Sequence, residues 1–389
     1  MKKSILFLAA AASLVACSKN EVTPVSSAED VEISYLVAPK TKATTKFDQN
    51  WKFLSTAFYI KNADGTWASH GTTTPSTYID SVEISYNTSD AVWRNASKKY
   101  YWPKDGKLTF FAWTNVTESI ATDGTSTYTQ PKKTGSEDIE YLSGVTVSNS
   151  EGVVAKDYDV VANKNVDFLV ADIKADRKSN DKTPKYYTEG VPTLFKHKLS
   201  KVIFTAQTVK SGTYDAYDYK TTDKIVFKID SIKFIGIDQK NTYTQGVTVA
   251  ADSTSVGSWG TSPTEGSQTY TKKETEVTST LAYLYDGSDE NQYYYLPQGF
   301  DAQTKGSETK DYFEVNYTIT YNSGLATEKT EKLTQKCILN NSESGKSIFP
   351  AWEMGKIYTI NLKFSLNEIL WDPAVQDWET ANRDVTVGE

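Results

Sequence analysis

The sequence predicts an all-β protein, on three observations. Its 389 residues include 25 Tyr and 9 Trp, with Thr and Ser throughout, while long Leu/Ala/Glu/Lys stretches are absent. Short apolar runs recur between turn dipeptides such as Asp64-Gly65, Asp105-Gly106 and Asp123-Gly124. Near the end, Tyr358, Ile360, Leu362, Phe364 and Leu366 alternate with Thr359, Asn361, Lys363 and Ser365, the pattern of a strand with one face buried and one wet. Regular short strands with such turns indicate a sandwich or barrel rather than an α/β sheet. The length suits two domains.

The bulk numbers narrow the function. A net charge of −7 argues against nucleic acid as a partner. Only two His and two Met leave little material for metal or general-base chemistry. Cys17 and Cys337 are the only cysteines, and Cys17 is committed elsewhere, so no intrachain disulfide framework is expected.

Taken in order, Lys2 and Lys3 precede the apolar run Ile5 to Val15, long enough for a signal-peptide core and too short to span a bilayer. It ends in Leu14-Val15-Ala16-Cys17, which resembles the bacterial lipoprotein box, whose Cys is lipid-modified and becomes the mature N-terminus. Ser18 to Ala28 is polar and unpatterned, a tether. Val31, Ile33, Tyr35 and Val37 then alternate with Glu32, Ser34 and Leu36 as a short strand, ended by Pro39. The basic, small-residue segment Lys40 to Lys46 follows. It reads either as an exposed linker or as a protease site, because it can be drawn out without disrupting a core.

From Phe47, the runs Phe53–Ile60, Ile79–Tyr86, Tyr100–Trp102, Leu108–Trp113 and Phe168–Ala171 read as strands. The aromatic rings of Tyr100 to Trp113 are expected in the core, with a sugar-binding platform as the alternative. Thr114 to Val160 is weakly patterned and is expected to form decorated loops. Arg177 to Tyr187 and Gly190-Val191-Pro192 mark a boundary between domains at 47–190 and 191–366. Leu194 to Phe204 opens the second domain as one strand, with His197 read as a hydrogen-bonded structural residue. Ile229-Asp230-Ser231-Ile232-Lys233-Phe234 echoes Ile79-Asp80-Ser81-Val82-Glu83-Ile84 at an offset of 150 residues, as a duplication would leave. Ser279–Tyr285 and Tyr312–Tyr321 read as further strands, and Cys337, beside Ile338 and Leu339, as a buried thiol.

After Asn367 the apolar parity switches to Ile369 and Trp371, so the chain must bulge, turn or change partner there. Pro373 keeps this tail out of a central strand. Residues 367–389 therefore read as an arm able to pair outside its own fold.

No nucleophile elbow, zinc-binding His pair, Cys/His cluster or phosphate loop occurs in the sequence. His70 lacks a base or nucleophile partner nearby, and the acidic loop Asp286 to Asn291 lacks the ligand spacing of a calcium site. Neither catalytic residues nor a cofactor are expected.

Several stretches then line up in order. They are the lipobox at Cys17, Tyr101-Trp102-Pro103 before Phe110-Phe111-Ala112, Phe195 to Val202, Leu296-Pro297-Gln298, and the ending Gly355-Lys356-Ile357-Tyr358 … Asp377-Trp378. Together they resemble the fimbrillins of Bacteroidales, the lipoprotein-derived pilins of type V pili. The resemblance implies two transthyretin-like β-sandwich domains in tandem and an exported lipoprotein at the outer membrane and in an extracellular fimbrium. It further implies proteolytic removal of the first strand and filling of the vacated groove by the C-terminal arm of a neighbouring subunit. Carried onto this chain, the lipidated residue is Cys17, the displaced strand holds Val31, Ile33, Tyr35 and Val37, and the cut falls between Lys42 and Ala43. The donor arm holds Ile369, Trp371, Val375 and Trp378. The chain departs from the family at the cut, with Lys42 where Arg is usual. The expected partners are other fimbrial subunits in a head-to-tail polymer, a host or bacterial surface receptor, and the membrane through the lipid. The alternative is a surface glycan-binding lipoprotein, which requires at least two of Trp67, Trp93, Trp102, Trp113 and Trp259 exposed on one face.

Overall fold

The computed structural model describes residues 31–37, 47–59, 76–103, 107–177, 190–247, 257–270, 275–285, 292–343, 349–367 and 369–378. Cys17, the Lys42–Ala43 cut, Trp67, His70 and the Asp286–Asn291 loop lie outside these residues, as do most of the boundary segment and the turns at Asp64-Gly65 and Asp105-Gly106.

Phe53–Tyr59 lies between Ser76–Asn87 and Leu108–Ile120, all antiparallel. Val166–Ala171 follows on the far side of Leu108–Ile120, and Phe195–His197 lies beyond it. Leu108–Ile120 is buried on both faces, which is why Leu108 to Trp113 reads as an almost continuous apolar run. Leu108, Phe110 and Ala112 enter one core, while Phe111 and Trp113 enter another. Ser76–Asn87 turns a corner: its last residues, Ser85 to Asn87, pair with Val92–Arg94 in the facing sheet. That facing sheet also holds Tyr35–Leu36 and Val191–Pro192.

In the second half, the 19-residue strand Val226–Thr244 pairs with Tyr312–Tyr321, which in turn pairs with Lys329–Ile338. Its other edge takes Thr275–Val277, Thr264–Tyr270 and Ser258–Trp259, while Gly152–Asp159 pairs with its last residues, Lys240 to Thr244, on the same edge as Tyr312–Tyr321. Against this sheet packs a second one, in which Ser200–Thr208 runs parallel to Lys356–Phe364. Tyr294–Tyr295 and Ala282–Tyr283 pair along the other edge of Ser200–Thr208. The fold is thus all-β and built of packed sheets around two apolar cores.

Several expectations change. Thr114 to Val160 is not loop alone. The aromatic strand continues to Ile120, Ser126–Thr129 pairs back onto it, and Val145–Ser148 with Gly152–Asp159 forms a hairpin on the second half's sheet. Val153, Ala155, Tyr158 and Val160 are buried there, each supplied by a partner strand far away in sequence. Leu194 to Phe204 is two strands. Phe195–His197 completes the first sheet and Ser200–Thr208 enters another, with the change between them at Lys198-Leu199. The Ser279–Tyr285 strand shrinks to Ala282–Tyr283.

The two Ile-Asp-Ser segments share a device. Asp80 and Ser81 stand opposite Thr56 alone, with Ser81 at φ +44°, and Asp230 has no counterpart between the Ile229–Tyr317 and Ser231–Asn316 pairs. Each bulge is tied by side chains. Ser81 N–H donates to Thr56 Oγ1 (3.2 Å), Thr318 Oγ1 to Asp230 (2.8 Å) and Asn316 Nδ2 to Ser231 Oγ (3.0 Å).

Candidate functional site

The N-terminal strand is inserted between two others. Ile33 N–H donates to Tyr100 O (2.7 Å), and Trp102 N–H donates to Val31 O (2.9 Å). On the opposite edge, Val191 N–H donates to Ser34 O (2.8 Å) and Thr193 N–H to Leu36 O (2.9 Å). Pairing is antiparallel to Trp93 and parallel to Val191–Pro192. The alternation read from the sequence holds: Ile33, Tyr35 and Val37 are buried in the first core, with Val31 packed at its margin. Tyr35 meets Phe53 and Phe110 edge-on and donates its hydroxyl to Ser55 Oγ (2.9 Å). Burial raises its phenol well above the ordinary range, so it stays neutral. Glu32, on the other face, pairs with Arg94 (3.5 Å) and Lys99 (3.4 Å).

Burying each of these apolar side chains is worth roughly 1.5–3 kcal/mol. Taking the strand out would expose that surface and leave backbone groups of Tyr100, Trp102, Val191 and Thr193 without partners. The groove is shaped for a backbone at this spot. Gly190 has φ +88°, and a Cβ there would lie 2.8 Å from the carbonyl carbon of Tyr35 and 3.0 Å from Leu36 N. Phe47, where the described chain resumes, stacks on Phe195 (4.7 Å between centroids) in the same core. Strand and core are therefore joined through residues 38–46, the stretch that holds Lys42 and Ala43.

The C-terminal arm has a place within its own chain. Lys356–Phe364 is an internal strand that stops two residues short of the expected end: Leu366, read as part of the buried face, is exposed where the chain reverses, and Ile369–Asp377 pairs antiparallel along the strand from Phe364–Ile369 to Lys356–Asp377. The parity switch after Asn367 is thus a hairpin reversal. Ile369–Asp377 is the outermost strand of its sheet, which is where Pro373, lacking an N–H, can be accommodated. Ile369 is buried and Trp371 packs edge-on to Phe313, but Pro373 to Asp377 are exposed, with Val375 at 54%. Trp378, the last described residue, is buried again. Ion pairs Lys356–Asp377 and Lys363–Asp372 bridge the hairpin. At the root, the Gln335 carboxamide imitates a backbone bridge. Its Oε1 accepts from Ile369 N–H (2.9 Å) and its Nε2 donates to Ile369 O. A groove of about 670 Å³ opens beside it, lined among others by Leu333, Cys337 and Trp371.

The arm's Ile369, Trp371, Pro373 and Val375 repeat at every second residue, as Val31, Ile33, Tyr35 and Val37 do. The arm therefore carries an apolar face of the same length and period as the N-terminal strand, and its own sandwich covers only the first half of it.

Elsewhere, chemistry-bearing side chains are in structural roles. His197 Nδ1 is 2.6 Å from Asp167 Oδ2, both fully buried, as the structural reading of His197 expects. Burial raises the Asp167 carboxyl above its usual range, with His197 opposing the shift. Cys337 is a buried free thiol pushed up to about 12 by burial. Among the described residues no group of three or more His, Cys, Asp or Glu could hold a metal ion. Trp93, Trp102 and Trp113 are buried, and Trp259 packs half-buried with its indole N–H donating to Lys198 O (2.8 Å). The exposed Trp face that a glycan platform requires is therefore absent among the described residues. Gly190 and Gln335 carry no motif; only the position of Gly190 before Val191-Pro192 hints at a turn.

A sequence profile of fimbrillin-like proteins matches residues 41–378 of this chain. The match begins beyond the N-terminal strand and ends on Trp378. No curated protein sequence matches. Among solved structures, a fimbrial protein from Bacteroides vulgatus ATCC 8482 superposes with a TM-score of 0.54 at 16% identity, over 90% of this chain and 99% of that one. The tip fimbrial protein Mfa3 from Porphyromonas gingivalis, with a C-terminal truncation, aligns at 10% identity over 86% of this chain and 97% of its own, with a TM-score of 0.30. The first of these carries the likeness of fold.

Proposed function

The chain belongs to the fimbrillin-like family, and on that premise we propose that it is a structural and adhesive, non-catalytic subunit of a surface fimbria, assembled by proteolysis-gated donor-strand exchange. In this reading the precursor is exported as a lipoprotein on Cys17 and reaches the outer membrane. A protease cuts between Lys42 and Ala43, and the strand carrying Val31, Ile33, Tyr35 and Val37 leaves. The arm carrying Ile369, Trp371, Val375 and Trp378 of a second copy takes its place. An emptied groove exposes apolar side chains and unpaired backbone together, and one added strand satisfies both. Head-to-tail addition of this kind does not close, so a filament grows. A host or bacterial surface receptor is the further partner of the assembled fimbria in this reading.

One observation carries the reading: the N-terminal strand is hydrogen-bonded on both edges inside a core, yet is joined to that core only through residues 38–46. The test is trypsin treatment of the purified chain, followed by gel electrophoresis without boiling and by electron microscopy. Ladders and fibres are expected only after cleavage. Cleaved protein that keeps the N-terminal strand and stays monomeric would contradict the reading.

A further inference from the structure

The arm is held unevenly. Its middle, Pro373 to Asp377, is exposed, whereas Trp378 is 3% exposed and its N–H donates to Gly355 O (2.7 Å). The Trp378 ring lies flat on the His197 imidazole (centroids 3.8 Å apart, planes at 11°) and nearly parallel to Tyr294 (5.2 Å, 16°). Lys201 Nζ stands 5.9 Å from the centroid. These three groups are themselves fixed. His197 is bound to Asp167, Lys201 Nζ pairs with Glu118, and Tyr294 donates its hydroxyl to the same Glu118 carboxylate. His197, Asp167 and Glu118 belong to the first sheet, Lys201 and Tyr294 to a sheet of the second half. The indole therefore covers the junction at which the chain passes from one sandwich to the other. Its seat is preorganised by the buried Lys201–Glu118 ion pair and the buried His197–Asp167 hydrogen bond, and between Trp371 and Trp378 the arm buries no side chain.

We propose that His197, Tyr294 and Lys201 form a seat for the Trp378 indole, and that this seat is the latch keeping the arm closed on its own sandwich. The role of the latch in assembly rests on the donor-strand reading; the latch itself does not. Two features suit a contact meant to open. The ring contributes stacking and a large buried area, but its Nε1–H is buried with no hydrogen-bond partner, a standing penalty for the closed state. From Asp372 to Asp377 the arm is held by two rim ion pairs, one bond from Asn361 Nδ2 to Asp372 O (3.2 Å) and main-chain pairing at an outer edge, which fray readily once the end is free.

The test uses the full, uncut chain, so that exchange between subunits does not intervene. Hydrogen exchange is followed in Leu370 to Asp377 for the native chain, Trp378→Ala and Trp378→Phe. In Trp378→Ala these amides are expected to exchange roughly tenfold to a hundredfold faster, with Phe53–Tyr59 and Val226–Thr244 unchanged and Trp378→Phe close to native. Unchanged exchange in the arm of Trp378→Ala would overturn the latch. So would faster exchange spread equally over both control strands, since the indole would then hold the junction rather than the arm. If the arm opens as expected but trypsin-cleaved Trp378→Ala gives no polymer, and neither does the cleaved native chain, the latch stands and the donor-strand reading falls.

Discussion

Lys198 carries its charge in a buried environment. It lies buried where the chain leaves the first sheet, its Nζ 5.7 Å from the Tyr243 ring centroid, and burial lowers its ammonium to about 8 despite the opposing charge of Asp172. A lysine with a depressed native pKa binds fewer protons folded than unfolded between about pH 8 and the free value near 10.4. Its cost is therefore full below pH 8 and is relieved as pH rises through that window. Lys198→Met should raise stability by about 1–2 kcal/mol at pH 7, the loss of Asp172's attraction offsetting part of the desolvation relieved. Urea unfolding should show this gain shrinking toward pH 10; a gain constant with pH would show that charge burial is not its source. Nothing local in the chain marks this residue, because the Tyr243 contact comes from a strand some 45 residues later. Ile33, Tyr35 and Val37 were legible for the opposite reason: period two within seven residues is a local signal.

At the scale of elements, the N-terminal strand and the arm are a matched pair with different anchoring. The strand has partners on both edges and three side chains in the core. The arm has one edge partner and is buried only at its two ends. Gly190 sets how closely the strand can sit. An L-residue at its φ of +88° is strained, by about 1–2 kcal/mol, and the Cβ would press on the backbone of Ser34 to Leu36, which cannot rotate away as a side chain would. Gly190→Ala should therefore speed hydrogen exchange at Ile33, Val191 and Thr193 in the uncut chain, with exchange in Val226–Thr244 unaltered. Native protection at those amides would refute the close-approach argument. Long alternating strands such as Tyr312–Tyr321 were readable to the residue, and Lys356–Phe364 up to Phe364, since one wet and one dry face write the period plainly; Leu366 kept the period but falls in the reversal and is exposed. The hairpin at 145–159 was hidden, because its polar residues bury apolar ones only after a distant sheet supplies the other wall. The arm's reversal was visible as a change of parity, but not its partner, since a free arm and a docked edge strand share one pattern.

In the whole molecule, the N-terminal strand fills the first core and the arm skirts the second, so in the proposed assembly the acceptor and the donor of a subunit would lie on different sandwiches. That separation is what a chain of subunits needs and a closed dimer does not. It also explains why the uncut chain is self-contained: one strand plugs the groove while the arm lies along its own edge. The central claim is that the arm of one copy enters the groove emptied in another. It is tested most directly by giving each capability to a different molecule. An acceptor is trypsin-cleaved and truncated after Leu366, and a donor is full-length and uncut. Mixed and sized by light scattering after chromatography, the pair should form a one-to-one complex and nothing longer, while each alone stays monomeric. A mixture that remains monomeric, or an acceptor that polymerises without any arm, would contradict the account.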